Sequence, residues 1–480
     1  MRSLMMLCIG CAVAILWPGA RPALFGQALE SGQIAAGERN EASDMSPRTV
    51  LIRNICVFDV ESGSMSPPQE ILIEGRTIAR IGDLAGISGA DREIDGAGRF
   101  AIPGLFDCHT HLAHLLPKGE DSLRFALGGF VERGILHVRD VGGPIDRLSE
   151  MRRRVDDGDL PGPTIFYTGP MLERSPLTWE KFNAELPGFT VAIDSREAVD
   201  SLLPALASGG ASMVKTFNKL DRDVYRHLVR VADSLSLRIV HDPGTPLFHR
   251  IPMDEAIELG ITSIEHAKAP WPAVLRDDLK REHDSLLSAP PEPGARSAFM
   301  MKVVGMGIGS ISPERLQSLG RRMVEKAVFL CPTLEVFASM EEMAIQQSKE
   351  RQGIEEIPPP MLEGIRRMTR SMEDVSVHFV RELAAGGVRM LVGQDGADPA
   401  GTASEMRRLR ACGIEPAEIL RGATIYPAAW LGIADRAGSI AVGRDADIVI
   451  LEANPLEEIG NVETVSQVIQ RGEIVATSSR

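Results

Sequence analysis

Six residues in this chain have types and positions that suit the binding of a divalent metal ion. His109 and His111 form a His-Thr-His run after the apolar stretch PGLFDC. Residues i and i+2 of a strand share a face, so two imidazoles placed there can hold one cation. His241 ends the run LRIV, His266 ends TSIE, Asp395 ends RMLVGQ and Lys215 ends SMV. Lys215, His241 and His266 follow one another at intervals of 26 and 25 residues. Each interval is about one strand–helix unit, so the three are expected at one height on consecutive strands. Imidazole combined with carboxylate suits zinc and similar ions. Each element alone says little: a lone strand-end lysine is usually a solvated charge, and an Asp in VGQDGA can simply cap a turn. Their joint placement carries the reading.

Something must bring the six together. Strand-like runs occur at 100–109, 135–141, 164–169, 212–217, 237–242, 262–266, 328–334 and 389–395. Helix-like stretches such as 221–236 and 253–260 separate most of them. Eight β units alternating with helices predict an α/β fold, a (β/α)8 TIM barrel, whose sites form at the C-terminal ends of the strands. Residues 49–82, 438–452 and 465–475 read as further short strands. They predict a small composite β-sandwich domain from the N- and C-terminal segments, 48–100 plus 434–480, around a barrel at 101–433. Two long interruptions, 268–312 and 339–375, follow the sixth and seventh strands. They read either as surface decoration or as a lid or substrate wall.

The N-terminus begins with a basic residue and an uncharged, mostly apolar run at 3–17, followed by small residues up to Ala28. This predicts a secretory signal peptide at 1–28 and a flexible leader at 29–47. The run is shorter than the roughly 20 apolar residues of a spanning helix. The expectation is therefore an exported protein, periplasmic or secreted, with no stable membrane anchor after cleavage. The 480 residues are 44% hydrophobic and 25% charged, an ordinary globular mixture. A net charge of −14 argues against a nucleic-acid partner, which needs clustered basic charge. Of six cysteines, Cys8 and Cys11 fall in the signal; Cys56, Cys108, Cys331 and Cys412 are scattered. That is neither a disulfide scaffold nor a zinc knuckle.

At PGLFDCHTH (103–111), GASMVKTF (210–217), IVHDPG (239–244), SIEHA (263–267) and LVGQDGA (391–397) the chain resembles the amidohydrolase superfamily of metal-dependent hydrolases. The likeness is greatest to the imidazolonepropionase-like and prolidase-like branch. VRDVGG (138–143) and GSIAVGRDADIVIL (438–451) extend it, so that it spans about 49–475. The resemblance implies two divalent metal ions, with zinc the default. His109, His111 and Asp395 would hold the more buried ion and His241 and His266 the other. Lys215 would carry a carbamate bridging both. An ammonium has donors only and cannot ligate a cation; a carbamate supplies two anionic oxygens, and an unmodified Lys215 would leave a single ion. A metal-activated hydroxide would attack the substrate, with Asp395 as general acid–base group. The sequence GQDGA departs from the commoner GTDA or GSDA, which leaves the polar contact beside Asp395 open.

The expected function is hydrolysis of a C–N amide bond in a small molecule, a dipeptide or N-acyl amino acid. The alternatives are lactone or ester hydrolysis at the same centre, or a non-catalytic binding protein on the same barrel. Relatives of this kind often form dimers or larger rings, which makes a homo-oligomer the expectation. His227, His283 and His378 read as solvated or structural. His114, His249 and Tyr225 are within reach of a pocket, and His137 either packs in the core or lines the site from below. Arg139 and Asp140 read as a structural ion pair. Specificity would reside in the loops at 170–190, 243–252, 268–312 and 339–375, with Arg174, Trp179, Arg250, Trp271 and Lys302 as candidate contacts.

Overall fold

The computed structural model describes residues 49–477, apart from 218, 245–246, 248–249 and 289–291. The expected signal peptide and leader, and His249, lie outside the described residues. Six strands open the described residues: β1 (Thr49–Asp59), β2 (Ser64–Met65), β3 (Gln69–Glu74), β4 (Thr77–Gly82), β5 (Arg92–Asp95) and β6 (Phe100–Pro103). Their β-branched residues alternate with the pleat. Val50 and Ile52 join one core with Ile71, Ile73 and Ile448, while Leu51 packs against Leu72 and Leu84.

The run 100–109 is not one strand. It divides at Gly104, where a Cβ would lie 2.8 Å from Leu136 Cδ1. Its first half is β6; its second half starts the site as β7 (Leu105–Thr110). β7, β8 (Ile135–Asp140) and β9 (Thr164–Tyr167) form a parallel three-stranded sheet. A six-stranded sheet contains β10 (Met171–Glu173), β11 (Thr190–Ala192), β12 (Met213–Phe217), β13 (Arg238–Asp242), β14 (Ser263–Glu265) and β15 (Phe329–Cys331). Its order is β11-β10-β12-β13-β14-β15, again all parallel. β10 and β11, three residues each, carry too little pattern to read from sequence.

The expected strand at 389–395 does not form. That segment lies between β15 and β7, tied by isolated parallel bridges Leu330↔Met390 and Thr110↔Gly396. Leu391 N donates to Leu330 O at 2.8 Å and Cys108 N to Val392 O at 2.7 Å. Gly393 and the left-handed Asp395 (φ 63°) interrupt its extended run. On the far side, Ser212 N donates to Tyr167 O at 3.0 Å and links the two parallel sheets.

The C-terminal strands β16 (Ile448–Leu451), β17 (Val465–Gln470) and β18 (Glu473–Thr477) return to the opening strands. β16 pairs antiparallel with β6, giving one nine-stranded mixed sheet. Only Ile448–Leu451 of the expected 438–452 run is extended, and 465–475 is a hairpin that turns at Arg471-Gly472.

The two interruptions are helical rather than loops. The first holds helices Trp271–Val274, Asp277–Ser288 and Ala295–Met306; the second holds Phe337–Gln352 and the start of Pro359–Ala385. The main apolar core joins strands to helices. The helix Arg222–Ser234, for example, buries Val224, Tyr225, Leu228 and Ala232 at helical spacing. A separate cluster of Phe106, Cys108, Met213, Val240, Phe329, Cys331 and Leu391 packs among the parallel strands. Among the described residues no helix is long and apolar enough to cross a membrane.

Candidate metal centre

Strand alternation brings the first ligands together. His109 and His111 flank Thr110 at the end of β7, and Asp395 N donates to His109 O at 2.8 Å. Asp395 Oδ1 lies 3.4 Å from His109 Nε2 and 3.2 Å from His111 Nε2. One ligand atom from each of the three lies within 4.8 Å of the others, all buried. Asp395 Oδ1 is buried and accepts no hydrogen bond. Two imidazole nitrogens and an anionic oxygen converging in this way fit a cation. Burial opposes the charge on Asp395, but His111, His266 and Lys215 hold its carboxyl below the usual range.

His266 follows β14 in the left-handed region (φ 69°), its N donating to Cys331 O at 2.8 Å. Its Nδ1 is 2.8 Å from Thr333 Oγ1 and 3.7 Å from Asp395 Oδ2. Left-handed residues other than glycine cost about 1–3 kcal/mol each and cluster at functional sites. Here Asp395, His266 and Thr333 are three together.

Lys215 is fully buried, 3.5 Å from His109 Nε2. Its Nζ lies 3.2 Å from Asp242 Oδ2. His241 is placed differently from the expectation of a shared height. β13 pairs Val240 with Lys215 and His241 with Thr216, and one residue of offset puts a side chain on the other face. Asp242 therefore shares the Lys215 face. His241 Nδ1 lies 3.0 Å from Tyr225 Oη and 3.2 Å from Thr216 Oγ1. Its Nε2 is buried with no hydrogen-bond partner. Burial keeps the ring neutral, with a pKa of about 4.

Several site residues were not foreseen. Asp242 Oδ2 also lies 3.1 Å from His266 Nε2, and its Oδ1 accepts Gly244 N at 2.7 Å. Burial opposes its charge, but His266 and Lys215 hold it far below the ordinary range. Glu265 Oε2 is 2.7 Å from His109 Nδ1. A proton on Nδ1 leaves Nε2 as the ligating atom. Glu265 in turn receives Arg139 Nη2 at 2.8 and 3.0 Å. Arg139 is thus paired with Glu265, correcting the expected Arg139–Asp140 pair. Asp140 instead accepts Leu112 N at 2.6 Å and Gly142 N at 3.1 Å. The signal for Glu265 was available: it sits two residues beyond Ser263 in TSIEH, on one strand face.

Gln394 answers the question left by GQDGA. Its Nε2 donates to Asp107 Oδ2 at 2.8 Å, which also accepts Thr402 Oγ1 at 2.6 Å. Asp107 Oδ1 accepts His109 N at 3.1 Å. One carboxylate thus ties the His-Thr-His strand to the Asp395 segment, and burial pushes its pKa up to about 6.

Of the remaining candidates, His283 is buried and its Nε2 donates to Leu247 O, while His227 meets Asp200. His137 stacks on Phe106 and lies 3.2 Å from Asp447 of the terminal sheet. Trp271 is buried, donating to Ser310, and Lys302 is on the surface with Glu282. Arg174 and Arg250 both meet Asp221.

The comparisons with known proteins agree with this architecture. Residues 342–475 match the profile described as the amidohydrolase family. Over that stretch the chain is similar to the amidohydrolase family. A 61-residue stretch is 46% identical to the imidazolonepropionase of Thermoplasma acidophilum, covering 12% of this chain and 15% of that protein. The chain thus spans about 15% of the length of this curated relative in the match. Among solved structures, a Xaa-Pro dipeptidase with bound methionine in the active site superposes at TM-score 0.65 with 19% identity, over 90% of this chain and 100% of that one. A prolidase complexed with N-methylphosphonate-L-proline gives TM-score 0.66 and 20% identity, over 90% and 100%. Both show that this chain shares their α/β fold with parallel strands.

Proposed function

We propose that this protein is an exported metal-dependent hydrolase that cleaves the C–N amide bond of a dipeptide or N-acyl amino acid. The convergence of His109, His111 and Asp395 carries this reading. The parallel strands and the 389–396 segment are read as a (β/α)8 barrel, and the terminal sheet as its sandwich-like companion; the links Ser212–Tyr167, Leu391–Leu330 and Cys108–Val392 support closure. The prolidase and Xaa-Pro dipeptidase likenesses support the bond type.

His109, His111 and Asp395 would hold one divalent ion, with zinc the default. His266 would hold a second ion together with a carbamate on Lys215; Asp242 shares that face, whereas His241, which the resemblance also implies as a ligand, lies on the other face of its strand. Bound there, the metal supplies Lewis acidity and lowers the pKa of water. Asp395 holds and returns the proton at its carboxylate. Glu265 fixes the proton of His109 on Nδ1, and Tyr225 and Thr216 fix the orientation of His241. The water-poor setting of these groups strengthens every charge interaction among them.

The test is metal content of the purified mature protein and of Lys215→Ala, with hydrolysis of dipeptides, N-acyl amino acids and, as controls, esters and lactones. The expected result is about two ions per chain, falling on substitution, with amides cleaved. One ion unaffected by the substitution removes the bridge. No uptake and no hydrolysis overturn the proposal.

A further inference from the structure

The most distinctive feature beside the proposed centre is a cluster of rings. His114 stacks on His111 with centroids 5.2 Å apart. Phe189 lies 5.3 Å from His114, and Phe182 meets His114 edge-to-face at 5.0 Å. Phe182 and Phe189 meet each other edge-to-face at 4.6 Å. These spacings are those of favourable aromatic pairs. Phe189 also lies 6.2 Å from His111, so the cluster borders a residue proposed to hold metal.

Two further observations say that the cluster does more than fill space. Phe182 belongs to the short helix Glu180–Glu185, none of whose residues is fully buried. The Phe182 ring is thus held inward by a segment that otherwise faces water. His114 is itself partly exposed, yet its Nε2 is buried with no hydrogen-bond partner. A buried polar atom without a partner is uncommon. It is open to a hydrogen bond from a group that packs against the rings.

We propose that His114 and Phe182, backed by the buried Phe189, form the specificity wall of the site, accepting an apolar, preferably aromatic, side chain of the substrate. The substrate amide borders the metal at His111, and its polar group meets His114 Nε2. This deepens the hydrolase reading and rests on it for the position of the amide. It selects phenylalanyl-type amides over acidic ones.

Binding measured without turnover tests the proposal apart from the hydrolase reading. Isothermal titration of the purified protein with N-acetyl-L-phenylalanine amide and with N-acetyl-L-glutamate is the experiment. The expected result is at least tenfold tighter binding of the aromatic probe. Phe182→Ala should remove that preference. Phe182→Tyr should keep it. His114→Phe, which retains ring packing, should weaken the aromatic probe severalfold through loss of Nε2. In turnover, Phe182→Ala should raise KM for phenylalanyl amides more than it lowers kcat. Equal affinity for the two probes, or a preference that survives both Phe182→Ala and His114→Phe, overturns the proposal. Selective binding without hydrolysis upholds the wall and sinks the hydrolase; hydrolysis without selectivity does the reverse.

Discussion

His241 and Asp242 are neighbours whose side chains do different work because a strand alternates. Asp242 faces Lys215 and His266, while His241 is held by Tyr225 and Thr216. Partners that orient a ligating imidazole typically cost 10–100-fold in metal affinity when lost. His241 lies on the face away from Lys215, so Tyr225→Phe is expected to leave metal affinity unchanged. Competition with a chelator of known affinity measures this, and a weakening of about tenfold would return His241 to the ligand set. A second residue-scale prediction concerns Glu405. It is fully buried; its Oε2 accepts Glu335 N at 2.7 Å, but its Oε1 has no partner. Burial raises its pKa from 4.5 to about 8. The folded state therefore binds the proton more tightly than the unfolded state. The resulting stability is fully present below pH 4.5 and is lost as pH rises through about 8. At about 1.4 kcal/mol per unit, the loss is on the order of 5 kcal/mol. Urea unfolding at pH 5 and pH 8.5 should show that Glu405→Gln loses less stability over that interval than the parent does.

At the scale of elements, the segment 389–396 is the instructive one. Its apolar run RMLV reads as a strand, yet it joins its neighbours through isolated bridges. Side-chain ties take the place of a full ladder. Gly393 is required by proximity: a Cβ there would lie 2.6 Å from Cys331 Sγ and 2.7 Å from His109 N. Gly401 likewise leaves room for the Gln394 amide. Gln394→Ala deletes the bond to Asp107 and leaves a buried carboxyl with fewer donors. The expected cost is about 1–3 kcal/mol, read as a lowered urea midpoint, with weakened metal retention because Asp395 is the next residue. A change in stability with full metal retention would show that Gln394 serves the fold alone. The same segment shows what was legible. Asp395 lies on an extended segment held by isolated bridges. The places of His109 and Lys215 within strands, and of His266 just after one, follow from local runs, so sequence gives them. Register does not: a one-residue offset between β12 and β13 depends on packing across the sheet, and so the shared height expected for Lys215 and His241 is not observed. Ties such as Glu265 to Arg139, or Gln394 to Asp107, join residues more than a hundred positions apart, and no local pattern reports them. The three-residue strands β10 and β11 are too brief to alternate.

For the whole molecule the question is whether the terminal sheet and the site-bearing part stand or fall together. Val449, Leu451 and Val468 belong to the same apolar core as the strands and helices around the site. Gly134 packs so closely on Val449 that a Cβ would lie 2.6 Å from its Cγ2. Polar ties run the same way: His137 to Asp447, Gln470 Nε2 to Gly162 O at 3.1 Å, and Arg471 to Asp156 and Thr164, each at 3.1 Å. The chain passes from β6 to β7 with only Gly104 between, so neither part can unfold without disturbing the other. Thermal unfolding of the metal-loaded protein is therefore expected as one transition, coincident by near-UV and far-UV circular dichroism. A ligand that binds only the folded state stabilises it by about 2.7 kcal/mol at a hundredfold excess over Kd. Chelation should thus lower the midpoint of that single transition and move both signals equally. If the terminal sheet melted separately, chelation would shift only the part holding His109, His111 and Asp395, and the two signals would separate.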